Sequence, residues 1–397
     1  MELRPATREE FDDYSRAALS AFHQERTETD RRRFEPIDEP ERSLAWFDRG
    51  RIVATSGAFT RELTVPGAVL ACAAVTAVAV VPTHRRRGLL TGMMRRQLDD
   101  LRERGDAVAI LWASEGTIYG RFGYGIGARA AQLVARRPAA RLARAAPTAA
   151  GEPLRAGPAA EHVEAMRATH DLVRPLRPGM LDRRGPWWND RLFDPEGERR
   201  GAQPLQAVIA GDGYALYAVQ PDAGEDEPAG EVRIRELVAA TPAAHARLWA
   251  FLVDQDLTRT ITWSLAPVDE PLWLALTDPR AVRVTVSDSL WVRLVDVAAA
   301  LRARGYASDP DVVIEVADGF CAWNAGRYRL AEGGCERTEA AADLALDVAD
   351  LGAAYLGGTT LRSLAAAGRV RELTPGAVAR ASAAFRGEVE PWCPETF

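Results

Sequence analysis

Two stretches of the chain hold residue types whose spacing can do chemistry. In the first, Val75–Val81 is a nearly continuous apolar run stopped by Pro82, the pattern of a strand covered on both faces. It leads into Pro82-Thr83-His84-Arg85-Arg86-Arg87-Gly88-Leu89-Leu90, which opens an amphipathic helix. Backbone N–H groups at a helix start, aided by the helix dipole, make an anion site. Three arginines add positive charge, and Gly88 allows a phosphate to approach the backbone closely. A strand, loop and helix of this kind suit a pyrophosphate-bearing cofactor, although Arg85–Arg87 also read as a solvated basic cap. The second stretch is Ser114-Glu115-Gly116-Thr117-Ile118-Tyr119-Gly120-Arg121-Phe122-Gly123-Tyr124. A phenol with a reference pKa of about 10 stays protonated near neutrality and can donate a proton, which makes Tyr119 a candidate acid. The plainer reading is a core tyrosine with its tip hydrogen-bonded.

Other candidates carry less. His84 has a reference pKa near 6.5 but lies on the phosphate side, where a surface role fits better. Cys72 precedes the apolar strand with no histidine near it in sequence, as a packed thiol would. Glu25, Glu28, Asp30 and Glu35 read either as an acidic pocket for a cationic amine or as a solvated loop. Trp187-Trp188 reads as packing.

The elements that must position these residues alternate through the first 140 residues. Thr7-Arg8-Glu9-Glu10 forms a capping box opening a helix to about Phe22. Gln24–Glu41 is charged and reads as loop-rich. Strands are expected at Leu44–Phe47 and Ile52–Val65, and a helix at Arg87–Arg104 with Leu90, Met94, Leu98 and Leu101 on one face. Val108–Ala113 is a further buried strand, a short helix follows around Ile118–Phe122, and Ala131–Arg136 is expected to close this unit. Pro138–Pro158 reads as a linker. A second mixed unit follows, with a hairpin of Leu205–Ile209 and Tyr214–Val219, an acidic loop at Pro221–Gly230, a strand at Val232–Val238 and a helix over Pro242–Asp254. From about 286 a third unit has strands at Leu290–Leu294, Val312–Val316 and Ala322–Leu330, then three helices.

The composition narrows the classes. The 397 residues carry 50 basic and 56 acidic side chains for a net charge of −6, and every basic residue is arginine. No basic excess is left to hold nucleic acid. Four scattered cysteines and five histidines lack metal-ligand spacing, so no metal is expected. No apolar run is long enough to span a membrane, and the amino terminus lacks a signal-peptide core, which points to the cytoplasm.

The loop after Val81 resembles the acetyl-CoA loop of the GNAT superfamily of N-acetyltransferases, R/Q-x-x-G-x-G/A, matched as Arg85-x-x-Gly88-x-Leu90 with a departure at the last position. Full matches at Arg102-x-x-Gly105-x-Ala107 and Arg302-x-x-Gly305-x-Ala307 lie at helix ends, where glycine is read as a cap. Tyr119, Gly123 and Tyr124 meet the family's Tyr-x-x-x-Gly-[Phe/Tyr]. Together AVAVVPTHRRRGLL and ASEGTIYGRFGYG resemble the enhanced intracellular survival (Eis) branch. The resemblance implies an α/β chain of mixed α+β sheets. It would comprise a catalytic GNAT domain (1–145), a second, degenerate GNAT-like domain (146–285) and a sterol-carrier-type domain (286–397) whose tail reaches the active site. It further implies an acetyl-CoA-dependent N-acetyltransferase acting on a small-molecule or peptide amine, in a homo-oligomer such as a hexamer. Tyr119 would be the acid and the terminal carboxylate of Phe397 the base, with Thr396 standing where the family has Glu. Cofactor contacts would fall on Val78, Ala79, Val80, Arg86, Arg87, Gly88, Leu89, Leu90, Thr91, Ser114 and Glu115. The rival reading is a non-catalytic acyl-CoA or lipid-binding protein on the same fold.

Overall fold

The computed structural model describes residues 1–137, 139–143, 153–222, 229–331 and 334–397. They group into two compact units. One comprises Met1–Ala128, Ser289–Glu388 and Thr396–Phe397, the other Arg129–Asp288 and Val389–Glu395. Residues 138 and 144–152 of the expected linker and 223–228 of the acidic loop lie outside the described residues, and Arg155–Pro158, read as linker, form a strand.

In the first unit, strand β1 (Glu2–Pro5) leads to helix α1 (Phe11–Ala21), whose approach is fixed by reciprocal bonds between Thr7 and Glu10 of 2.9 and 3.3 Å. The stretch read as a loop contains helix α2 (Glu28–Phe34), held at its start by a Thr27–Asp30 capping box. Strands β2 (Leu44–Asp48) and β3 (Arg51–Val65) join through Arg49-Gly50. Both turn residues have positive φ (51° and 76°), as a two-residue hairpin requires. A second tight turn at Pro66-Gly67 returns the chain as β4 (Ala68–Val80), longer than the sequence pattern suggested. Helix α3 (Leu89–Arg104) buries Leu89, Met93, Met94, Leu98 and Leu101, each contributing about 2 kcal/mol by leaving water. Strand β5 (Val108–Trp112) then pairs parallel with β4.

The sheet runs β1-β2-β3-β4-β5, then Leu290–Leu294, then Gly125–Ile126, and β4/β5 is its one parallel pair. The second unit repeats that plan: Arg155–Pro158, Gln206–Ile209, Gly213–Gln220, Gly230–Ala239, Thr258–Ala266, Arg129–Arg136 and Val282–Asp288. Here too a single pair, Gly230–Ala239 with Thr258–Ala266, is parallel. Ala131–Arg136 therefore lies in the second sheet rather than closing the first, and Leu290–Leu294 lies in the first. Strand periodicity gives the buried face but not the partner. The remaining sheet of the first unit orders Gly334–Arg337, Gly326–Ala331, Val312–Ala317, Leu344–Asp347 and Val370–Glu372, with four α-helices among the described residues between Val297 and Phe385.

Two local expectations change. Ala322–Asn324 is a helical turn rather than strand. Gly105 does cap α3 with φ 82°, but Gly305 is not left-handed: its missing side chain lets its backbone meet that of Gly67, where a Cβ would lie 3.3 Å from the Gly67 Cα.

Candidate active site

The ladder between β4 and β5 has rungs only from Ala73–Val75 to Ala109–Leu111. Beyond them the strands part. The parting coincides with an irregularity in β3/β4 at Thr55–Gly57 and with Ala77, held at φ 51° while its carbonyl accepts from the Thr55 hydroxyl at 2.7 Å. Such a bulge bends a strand and frees backbone groups.

A cavity of about 460 Å³ opens at this point, lined by Val75–Val78 of β4 and by Trp112, Ala113 and Ser114. Tyr14, Asp30, Asp38, Glu39, Tyr119 and Phe397 complete the wall relevant to chemistry. Tyr119 and Phe397, far apart in the sequence, thus line one space. The Tyr119 ring is buried among Leu111, Met94, Trp291 and Cys321 and meets Tyr124 edge-on at 5.9 Å. Burial, with Glu115 adding, pushes its phenol up to about 12.

After β4, Pro82–His84 make one helical turn and the chain reaches α3 through Arg86 (φ 62°) and Gly88 (φ 79°). Left-handed residues in such a loop turn successive N–H groups toward one point, a concavity that holds anions. Gly88 caps α3 without a side-chain bond, so the N–H groups of Leu89, Leu90 and Thr91 lack intrahelical acceptors and are available to a ligand. Arg85, Arg86 and Arg87 are exposed around this loop. Ala79 and Val80 pair with Thr55 and Ala54 on the β3 side, leaving their other edge beyond the last β5 rung. Ser114 and Glu115 are exposed at the end of β5. Of the expected contact residues, Val78 and Ser114 line the cavity, and the loop that follows β4 has the left-handed residues and free helix N–H groups that fit a pyrophosphate.

His84 binds Asp48 at 3.1 Å and the Thr83 hydroxyl at 2.8 Å, a surface role. Cys72 is fully buried, and Trp188 lies in the core of the second unit. Of the four acidic candidates only Asp30 lines the cavity, and its carboxylate also caps α2. Glu25, Glu28 and Glu35 are exposed. Asp38 and Glu39, which no sequence pattern singled out, line it instead. Burial pushes the Asp38 carboxyl up to about 6, against the pull of Arg26 and with Glu35 adding to the rise. Glu39 is engaged by the backbone and hydroxyl of Thr60 at 2.7 and 2.6 Å. Among the described residues no group of His, Cys, Asp and Glu is arranged to hold a metal, and no helix is long and apolar enough to cross a membrane.

A parted parallel pair, an anion cradle at the following helix and a buried tyrosine beyond the next strand define an acetyltransferase of the GNAT class. Comparison with known proteins agrees: acetyltransferase (GNAT) domains match residues 2–127 and 179–294, and a sterol carrier protein domain matches 297–394. An uncharacterized N-acetyltransferase of Streptomyces avermitilis is 47% identical over 380 residues, 93% of this chain and 92% of its own. The N-acetyltransferase Eis of Mycobacterium tuberculosis is 39% identical over 339 residues, 83% of this chain and 81% of its own. The crystal structure of Eis1 from Mycobacterium abscessus superposes with a TM-score of 0.89 at 35% identity, covering both chains completely. The chain belongs to the Eis family of GNAT N-acetyltransferases. It comprises two GNAT domains followed by a sterol-carrier-type domain.

Proposed function

We propose that the enzyme transfers the acetyl group of acetyl-CoA to a primary amine of a cationic acceptor, such as an aminoglycoside, a polyamine or a protein lysine, by direct attack. The observation that carries this reading is the meeting of Tyr119 and Phe397 in one cavity at the parted ends of β4 and β5. Acetyl-CoA supplies the activated thioester. Arg86, Arg87, Gly88, Leu89, Leu90 and Thr91 hold its pyrophosphate by backbone N–H groups and charge. The free edge of Val78, Ala79 and Val80 takes the pantetheine arm and polarises the thioester carbonyl, with Ser114 and Glu115 on the opposite wall.

The terminal carboxylate of Phe397 removes the proton from the attacking amine. The new N–C bond forms as the C–S bond breaks, and the Tyr119 hydroxyl donates its proton to the departing sulfur. Burial that keeps the phenol protonated also raises the basicity of a thiolate formed beside it, so transfer between them is not handicapped. Asp30 and Asp38 supply negative charge for a cationic acceptor. A hexamer is the assembly the family resemblance favours, and light scattering tests it.

The test is thiol release from acetyl-CoA with a panel of polyamines, aminoglycosides and lysine peptides, comparing the wild type with Tyr119→Phe. Acceptor-dependent release that the substitution suppresses is expected. Release independent of any amine, or none with the whole panel, would overturn the reading.

A further inference from the structure

The second GNAT domain has its own parted strands, and they are filled. Its parallel ladder ends at the Ile234–Trp263 rung, and Ser264 and Leu265 then bulge out of register with the neighbouring strand. In the first domain the equivalent gap is part of the cavity. In the second, the Trp392 indole donates to the Leu265 carbonyl at 2.7 Å and meets the Trp263 ring edge-on at 6.0 Å. From the helix Trp187–Leu192, Arg191 donates both to the carbonyl of Arg235 on the other strand (2.9 Å) and to that of Pro394 in the tail (3.2 Å). The chain's own tail therefore takes up the freed carbonyl of one strand, and Arg191 ties the tail to the carbonyl of the other.

The seat is built for that tail. Chain ends ordinarily fray, yet Pro391–Glu395 are all buried while Thr396 is exposed. Gly179, at φ 95°, lies so close that a side chain there would come within 2.8 Å of the Trp392 carbonyl oxygen. The Trp392 N–H donates to the Pro178 carbonyl at 2.8 Å. Beneath the tail, Arg183, 5% exposed, divides its guanidinium: Nε donates to Glu395 at 2.6 Å, and Nη1 and Nη2 grip Glu236, which is fully buried. Such a fork fixes carboxylates in direction as well as distance. Phe397 follows Glu395 by two residues and lines the cavity of the first unit.

We infer that the gap of the second GNAT domain is a binding site for the chain's own C-terminal segment, and that Arg183, through Glu395, is a positioning residue for the Phe397 carboxylate. The positioning half rests on the reading of that carboxylate as the base. A domain of the catalytic fold is thereby used as a clamp, which accounts for its lack of a glycine-bearing phosphate loop in the right context.

The experiment uses the full chain as wild type, Glu395→Gln, Glu395→Asp and Arg183→Lys. Each is exposed to carboxypeptidase with release of Phe397 followed by intact mass, and each is assayed for kcat and for the acetyl-CoA KM. Glu395→Gln should lose Phe397 about tenfold faster than wild type, because the seat no longer suppresses local opening. Its kcat should fall about 10-fold to 100-fold, the loss expected of a displaced reacting group, with the acetyl-CoA KM unchanged. Glu395→Asp, which keeps the charge, should recover part of both. An unchanged trimming rate in both Glu395→Gln and Arg183→Lys overturns the clamp. Faster trimming with unchanged kcat overturns the positioning role. Appending residues after Phe397 then tells the two failures apart: if that also leaves kcat intact, the terminal-base reading itself is wrong.

Discussion

Replacing Tyr119 with phenylalanine removes one hydroxyl and keeps the ring edge-on to Tyr124, in the core cluster that also holds Leu111 and Trp291. Because Tyr119 lines the cavity and the substitution keeps its buried ring, loss of the one hydroxyl should change stability by no more than about 1 kcal/mol. Loss of a general acid costs about 10²-fold or more, or about 2.7 kcal/mol at 1.36 kcal/mol per tenfold. The expected variant therefore melts with the wild type, binds acetyl-CoA normally and turns over about 100-fold more slowly. In the proposed mechanism the neutral phenol is the donor, and burial that raises its value to about 12 extends the protonated range upward. Tyr119 should therefore impose no alkaline limb on the rate below about pH 10, the ordinary phenol value. Single-turnover thiol release, measured from acid to alkaline pH in both proteins, is the fair assay because slow product release would mask the chemical step. An unchanged single-turnover rate removes Tyr119 from the mechanism. A wild-type alkaline limb near pH 8.5 that vanishes in the variant would refute the burial argument.

Three further outcomes follow from particular residues. Gly88→Ala puts a side chain on a φ of 79° with open space around it, so strain of about 1 kcal/mol should raise the acetyl-CoA KM several-fold with kcat little changed, as initial rates would show. The folded state holds a proton on Asp38 that the unfolded chain has already lost above about pH 4. Stability at this site therefore falls as pH rises from about 4 through 6, and Asp38→Asn should melt higher than wild type at neutral pH and level with it near pH 3.5. Arg183→Met leaves Glu395 and part of Glu236 buried without their cation. Although burial alone opposes ionisation of Glu236, Arg183 and Arg191 hold its carboxyl well below the usual range. Denaturant unfolding should accordingly show a loss of about 3–5 kcal/mol.

What could be read from sequence was what local chemistry determines. The Pro82–Leu90 loop and α3 were legible because a proline stop, a left-handed glycine and a helical apolar period coincide within one short segment. Tyr119 was legible from its spacing to Gly123. Helix α2 was not, because it buries no residue and so shows no apolar stripe; only its capping box announces it. Asp38 gave no signal, since its place in the wall depends on how the chain leaves α2. The placement of Arg129–Arg136 in the second sheet instead of the first, and of Leu290–Leu294 in the first instead of with the third unit, depends on long-range pairing that alternation does not encode. The contact of Arg183 with Glu395 spans 212 positions, beyond any motif.

The proposed base is the terminal carboxylate of Phe397. Adding a few residues after Phe397 converts it to a neutral amide and displaces it, whereas the same residues placed before Met1 leave it untouched. Assayed side by side with one amine, the carboxy-terminal extension should lower kcat by about 10²-fold or more, with melting temperature and acetyl-CoA affinity unchanged, and the amino-terminal extension should turn over normally. Equal turnover of the two proteins would contradict a terminal carboxylate acting as the base.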